Sequence, residues 1–391
     1  MTSRNPHDRR TVLKAICAGL CGPATVGLAG CLGDDDDPEA TPTPTLDPIP
    51  TPTSEEEVEE VVTVTAEHQR ANGGHYIFDL DREEIPAGWT TFTLDNLSGT
   101  THHGLILKLP DAVVDGLDDF PGATLEERYV NAFYEPLQNA WNHWTAGEIP
   151  LWELFGMLTE EDSPYRQPDI VHLIEYIGGP GLVSSGEQSR TTVNLDPGRY
   201  MIECYVLDGD HQFHVAHGML KGFEVTETES EMVEPEPTLE VTLSNENGLT
   251  VGFDSGEVQS GHHIFGVTIE NNMIHEHGFF GHDVHLIRYE DGTDAEQVDA
   301  WMDVVDSDVY DDEFSGTYAD RGAHVSTSEN PGPATWLGGV HENLQGMDEN
   351  FIVNEPYTAY FEADLEPGTH ALISEIPDPL TKGFFIEFEV S

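Results

Sequence analysis

Leu195-Asp196-Pro197-Gly198-Arg199-Tyr200-Met201-Ile202-Glu203-Cys204 and Leu365-Glu366-Pro367-Gly368-Thr369-His370-Ala371-Leu372-Ile373-Ser374 are two copies of one pattern. Each has a leucine, an acid, a Pro-Gly turn and a run that ends in a small residue. A Pro-Gly pair sets a tight turn, and a strand after it sends alternate side chains to opposite faces. The correspondence extends outward. Gly218-Met219-Leu220-Lys221-Gly222-Phe223-Glu224-Val225 matches Gly383-Phe384-Phe385-Ile386-Glu387-Phe388-Glu389-Val390. His102-His103-Gly104-Leu105-Ile106-Leu107-Lys108 matches His282-Asp283-Val284-His285-Leu286-Ile287-Arg288, and Gly178-Gly179 matches Gly338-Gly339. Two homologous units in tandem is the economical reading.

Short alternating or β-branched runs bounded by Gly, Pro, Asn and Asp recur along the chain, as in Thr91 to Leu94, Leu105 to Leu107, Arg199 to Val206 and Lys221 to Val225. Such runs predict an all-β fold of two tandem β-sandwiches. The stretch from Leu117 to Gly156, with Trp141, Trp144 and Trp152, reads as a partly helical insertion in the first unit. Its tryptophans are expected in the core. The expected units are residues 60–226 and 238–391, with the acidic, Pro-containing segment 227–237 as linker.

The N-terminal segment reads as an address rather than as structure. Arg9-Arg10-Thr11-Val12-Leu13-Lys14 resembles a twin-arginine export signal, and Leu28-Ala29-Gly30-Cys31 resembles a lipobox. The apolar run from Ala15 to Gly30 is 16 residues, too short and too rich in glycine to span a bilayer. The expectation is a signal peptide over 1–30 and lipidation of Cys31. A disordered acidic Thr/Pro stalk over 31–59 would follow, since such sequence cannot bury a core. The folded part would then sit at the extracellular face of the cytoplasmic membrane, with a redox partner protein at the membrane surface.

The formal charge is −59, from 74 acidic and 15 basic residues. Self-repulsion on this scale is tolerable where salt shortens the Debye length, which points to an extreme halophile. It also argues against nucleic acid as a partner, because phosphates are bound by clustered Lys and Arg.

Of the four cysteines, Cys17 and Cys21 would leave with the signal and Cys31 would carry lipid. Cys204 then stands alone in an oxidising compartment, where retention of a thiol is best explained by a metal. His102 opens one strand, Cys204 ends another, and His214 and Met219 follow. By alternation Tyr200, Ile202 and Cys204 face one way. Two imidazoles and a thiolate in a plane, with a long axial thioether, make a blue-copper electron-transfer site.

At these residues the sequence resembles the cupredoxin family of plastocyanin, azurin and the halocyanins. The resemblance rests on Asn96…His102-His103, on Pro197-Gly198-Arg199-Tyr200…Cys204, and on His214-Val215-Ala216-His217-Gly218-Met219. It implies a Greek-key sandwich, one type 1 copper ion with His102, Cys204, His214 and Met219 as ligands, and electron transfer as the activity. Nine residues separate Cys204 from His214, more than the small blue proteins have, so His211 and His217 stay open as alternatives to His214. His103 falls where the family places a polar residue that steadies the copper loop.

The second unit carries Ser374 and Phe384 where the first has Cys204 and Met219, and only His282 persists. It is therefore expected to lack the copper set, although His262, His263, His275, His277, His282 and His285 leave a divalent ion in another geometry open. A multicopper oxidase needs a histidine on each side of the thiolate ligand, and this chain has Glu203 and Tyr205. The expectation is accordingly an electron-transfer protein rather than a multicopper oxidase or nitrite reductase. A copper-delivery or copper-free binding module is the alternative.

Overall fold

The alternation read in the repeat is realised strand by strand. A computed structural model describes residues 60–69, 75–146, 148–149, 151–208, 210–256, 258–273, 282–302, 333–345, 352–353, 355–376 and 379–391. Arg9, Arg10, Cys31 and the stalk lie outside the described residues, as do His275 and His277.

The first half contains β1 (Val61–Gln69), β2 (His75–Leu80), β3 (Glu84–Asn96), β4 (Leu105–Leu109), β5 (Glu175–Gly178), β6 (Gln188–Leu195), β7 (Gly198–Glu203) and β8 (Leu220–Glu229). The second contains β9 (Leu239–Ser244), β10 (Gly248–Val251), β11 (Gly261–Ile269), β12 (Asn272–Met273) and β13 (Val284–Tyr289). It continues with β14 (Ala334–Val340), β15 (Ile352–Val353), β16 (Tyr357–Leu365), β17 (Gly368–Ile373) and β18 (Phe385–Val390).

Pairing orders them as β2-β1-β3-β6 facing β8-β7-β4-β5, and as β10-β9-β11-β16 facing β18-β17-β13-β14. The order is the same in both halves, and so is the single parallel pair in each first sheet, β1 with β3 and β9 with β11. The fold is all-β, two sandwiches in tandem. The start of β3 crosses over to pair in parallel with β8 (Glu84 opposite Glu224), and a parallel bridge of Val258 to Val390 repeats this in the second half.

The glycine pairs mark equivalent corners. Gly179 at φ 121° and Gly339 at φ 148° sit in the left-handed half of backbone space, and a Cβ there would stand 2.2 Å from Gly104 O and 2.1 Å from Val284 O respectively. Only glycine lets the backbones approach so closely.

The halves join along two seams. β6 pairs antiparallel with β16, where Arg190 Nε bonds Glu362 Oε2 at 3.1 Å. Isolated bridges pair Ile177 with Asn343, Pro180 with Val340 and Val183 with Leu337. One apolar core runs through both sandwiches, from Val62, Val64 and Phe92 to Phe265 and Phe361. The stacked pair Phe265 and Phe361, 4.5 Å apart, lies within it.

The insertion begins at Asp111 rather than Leu117. It comprises α1 (Asp111–Leu117), α2 (Leu125–Tyr129), a π turn at Val130–Tyr134, α3 (Glu135–Thr145) and α4 (Leu151–Thr159). Thr124 caps α2 by accepting the Glu127 amide. Alternation along β4 and β7 splits their side chains. Ile106, Tyr200, Ile202 and Cys204 enter the sandwich core, while Leu105, Leu107, Leu109 and Met201 form a second core with Val113, Phe133, Trp141 and Trp144 of the insertion. The expected core role of Trp141 and Trp144 is thus met. In the second half α5 (Ala295–Met302) and α6 (Pro379–Lys382) cover a smaller cluster around Trp336.

Candidate metal centre

β7 ends at Glu203, so Cys204 is the first residue of the loop beyond it, fully buried and on the inward face. Its amide donates to Met219 O (3.1 Å), which ties the strand end to the start of β8. His102 lies just before β4. Its Nε2 is held by Ser98 Oγ (2.7 Å) and Thr100 Oγ1 (3.1 Å), leaving Nδ1 turned inward. Asn96 builds that loop by donating to Thr100 O and Val183 O and accepting from the Ser98 amide.

Between Cys204 and His214 the chain makes a closed excursion. Leu207 bridges to Phe213, the Val215 amide donates to Cys204 O (2.9 Å), and the His214 amide to Val206 O (2.9 Å). The Asp208 carboxylate closes the tip by accepting the amides of Asp210 and Gln212, each at 2.9 Å. His211 takes a left-handed turn position with φ 61°. The insertion is the wall behind this loop. Gln138 on α3 accepts the Phe213 amide (2.8 Å) and donates to His211 O (3.1 Å), and Phe213 packs against Trp141 and Tyr134. The extra residues of the loop return His214 to the thiol because the helices support them.

Three ligand atoms meet as a result. His102 Nδ1 and His214 Nδ1 are 3.0 Å apart, and Cys204 Sγ is 3.7 and 3.5 Å from them. All three residues are buried. Metal–nitrogen and metal–thiolate bonds of about 2.0 and 2.3 Å in a plane would set N and S about 3.7 Å apart and the nitrogens about 3.5 Å apart. The donor set and its spacing therefore fit a trigonal ion. Tyr76 of β2 stacks on His214 with ring centroids 4.0 Å apart and closes the site from the sandwich side. Met219 is fully buried in the same core as Cys204, and its amide donates to His214 O (3.1 Å).

Burial pushes the Cys204 thiol up to about 12, and the backbone amides of His103 and Val206 directed at the sulfur only partly oppose it. A bare Cys204 is thus protonated at neutral pH. A cation that displaces the proton removes the burial penalty on the thiolate.

Neither alternative histidine is brought to the triangle. His217 Nε2 lies 3.3 Å from Asp208 Oδ2, and His211 is at the loop tip. His103 accepts the Tyr205 amide at Nε2 (3.2 Å), so it braces the Cys204 loop. Burial holds its imidazole well below the usual range and therefore neutral. Sequence reasoning missed Tyr76, Ser98, Thr100 and Gln138. The alternate polar residues of Asn96-Leu97-Ser98-Gly99-Thr100 were a usable signal for the loop; Tyr76 and Gln138 come from distant elements and had none.

In the second half His282 Nε2 contacts Asn245 Oδ1, and its ring stacks on Phe384, 4.9 Å away. His262 is exposed beside Glu362 and Asp364. His285, however, lies in a buried group with Asp283, His341, Glu342 and Glu375. Among the described second-half histidines that left a divalent ion open, His285 is the one set among buried carboxylates. The members of its group come from three separate segments.

No protein-family model matches the chain, and no curated protein matches it. Solved structures do. Auracyanin from Roseiflexus castenholzii is 16% identical, covering 43% of this chain and 98% of its own, with a TM-score of 0.22. A multicopper oxidase is 11% identical, covering 85% of this chain and 88% of its own, with a TM-score of 0.20. A copper-containing nitrite reductase from Thermus scotoductus is 10% identical over 85% of this chain and 62% of its own, at a TM-score of 0.21. At these identities the likeness is one of fold. The expectation of an electron-transfer protein rather than an enzyme is nevertheless corrected here. The structures that match across both halves are an oxidase and a reductase, whereas the auracyanin spans less than half of the chain. The physical weakness of the earlier expectation is its test: histidines flanking the thiolate ligand decide for one kind of second centre, not for every kind.

Proposed function

We propose that this chain binds one copper ion at His102, Cys204, His214 and Met219 and passes single electrons through it. The observation that carries the reading is the convergence of Cys204 Sγ and two imidazole Nδ1 atoms within 3.0–3.7 Å of one another in a buried pocket. Bound copper would supply a reversible one-electron couple there, with the soft thiolate and thioether favouring the reduced ion and the imidazoles accommodating the oxidised one. The chain's own residues do the rest. Ser98 and Thr100 fix which nitrogen of His102 faces the pocket, and Tyr76 and the loop wall exclude water. The backbone ties between Cys204, His214 and Met219 hold the ligands in place whichever charge the site carries, so little rearrangement accompanies electron transfer.

In the same reading the protein is exported by a twin-arginine route, lipidated at Cys31 and held by its acidic stalk at the outer face of the membrane of an extreme halophile. A redox partner protein would meet it there.

The test is a visible spectrum of the copper-loaded protein. A strong thiolate-to-copper band near ~600 nm is expected. Its absence would sink the proposal. Met219→Leu should keep the band and move the reduction potential.

A further inference from the structure

Beyond Cys204, the chain passes directly into a second buried polar cluster, one that lies where the two halves meet. Tyr205 follows the thiol and His103 follows the imidazole, and their rings are 4.2 Å apart. His103 also packs 4.2 Å from the ring of His341, which follows β14 in the second half. From there a continuous path of polar atoms runs through the interface. Glu342 Oε2 is 2.6 Å from His341 Nδ1, and Tyr205 Oη is 3.5 Å from both His341 Nδ1 and Glu375 Oε2. Glu375 Oε2 in turn is 3.7 Å from His285 Nε2, which is 3.2 Å from Asp283 Oδ2. Ligand atoms of Asp283, His341 and Glu342 all lie within 4.8 Å of one another, as do those of His285, His341 and Glu375.

The charges in this pocket do not balance. Asp283 and Glu342 are fully buried and Glu375 is partly buried, yet no described residue pairs any of them with Lys or Arg. His285, whose Nδ1 accepts the Leu182 amide (3.0 Å) and whose Nε2 faces Asp283 Oδ2 at 3.2 Å, offers at most one positive charge against these three carboxylates. Glu342 Oε1 and His341 Nε2 make no hydrogen bond. Buried carboxylates left in this state are costly unless a cation joins them.

We propose that this cluster is a second metal site, for one divalent first-row cation of the manganese or iron class, with Asp283, His341, Glu342 and Glu375 as ligands. Oxygen-rich ligation with one imidazole suits a harder ion than the Cys204 site does. His285 is a positioning residue: the Leu182 amide fixes its tautomer and leaves Nε2–H facing the Asp283 carboxylate, 3.2 Å away. The site draws its ligands from the half that lacks a thiol, and it touches the half that has one through His103 and Tyr205.

The probe is Mn²⁺, added to the full chain after one equivalent of copper. Roughly molar KCl screens the exposed carboxylates so that only specific sites retain the ion. Equilibrium dialysis should find one tightly held equivalent. Cys204→Ser should keep it while losing the blue band, so the failure of the copper reading and the failure of this one are separable. Asp283→Asn and Glu342→Gln should each weaken Mn²⁺ retention by at least about tenfold, the order found when residues around a metal are changed. The blue band of the copper-loaded variants serves as their test of folding, and Glu342→Gln carries the result if Asp283→Asn does not fold. Bound Mn²⁺ should also speed the spin relaxation of Cu²⁺ in the doubly loaded protein, where Zn²⁺ does not. No tight equivalent, retention undiminished in the folded variants, or relaxation that ignores Mn²⁺ would each overturn the site and leave the cluster as hydrogen-bonded core.

Discussion

The ends of β7 and β17 are the same place in two copies of one sandwich, and they carry different side chains. Cys204 N–H donates to Met219 O, and Ser374 N–H donates to Phe384 O, both at 3.1 Å. His103 accepts the amide after Cys204, and Asp283 accepts the amide after Ser374 (2.7 Å). The backbone scaffold is therefore preserved while the thiol and the thioether have been replaced by Ser374 and Phe384, and His282 alone persists. In the first half the thiol points at two imidazoles. In the second, Ser374 Oγ donates to Asp283 Oδ1 (2.9 Å), and the ring of Phe384 occupies the thioether position against His282. The difference teaches that the fold asks only for a small side chain at this strand end.

The sharpest way to break the comparison is to make the first half like the second. Cys204→Ser should abolish the ~600 nm absorption of the copper-loaded protein, since that band needs the thiolate. The fold should persist by far-ultraviolet circular dichroism. A retained band would show that the ligand assignment is wrong.

Next in size is the wall that only the first half has. Trp141→Ala should cost about 3–5 kcal/mol in denaturant unfolding, the usual range for a large aromatic removed from a core. It should also weaken the blue band, because Phe213 and the loop to His214 lose their support. Destabilisation with an unchanged spectrum would mean that the loop holds His214 without the insertion.

The reverse experiment, Ser374→Cys, should not create a second blue centre. One thiol without a facing imidazole pair is not a trigonal site, so the band per chain should stay that of one copper. The swap should also destabilise by about 1–3 kcal/mol, since Asp283 Oδ1 loses a buried donor. A second band would show that the halves differ by a single residue.

The smallest effect concerns the loop tip. Asp208→Ala should cost about 1 kcal/mol by removing the acceptor for two turn amides, with solvent screening limiting its pairing with His217. Burial alone would raise the Asp208 carboxyl, but His217 and the Gln212 and Asp210 amides hold it below the usual 3.8. Its contribution is complete above the unfolded value and fades as pH falls through the lower folded one. Urea midpoints measured across that acid range should therefore converge for wild type and variant. Parallel curves would remove Asp208 from the loop's stability.

Local pattern determined a good deal of this protein. Alternation along Gly198 to Glu203 decides which side chains enter which core, because a strand has a period of two, and the duplicated Pro-Gly turns announced the tandem sandwiches. The lone thiol and the His214–Met219 spacing picked out most of the proposed ligand set for the same reason: they sit on or beside one hairpin. Tertiary structure decided everything that depends on residues far apart in the chain. His102 meets Cys204 across 102 positions, Tyr76 reaches His214 from another sheet, and Gln138 reaches Phe213 from the insertion. The choice of His214 over His211 and His217 also waited for the loop to close, since three imidazoles within seven residues look alike until a turn aims them. The cluster around His341 lies beyond any local pattern. Its charged members stand near separate strand ends of one half, so only the folding of that half brings them together, and the packing of the halves sets His103 and Tyr205 against them.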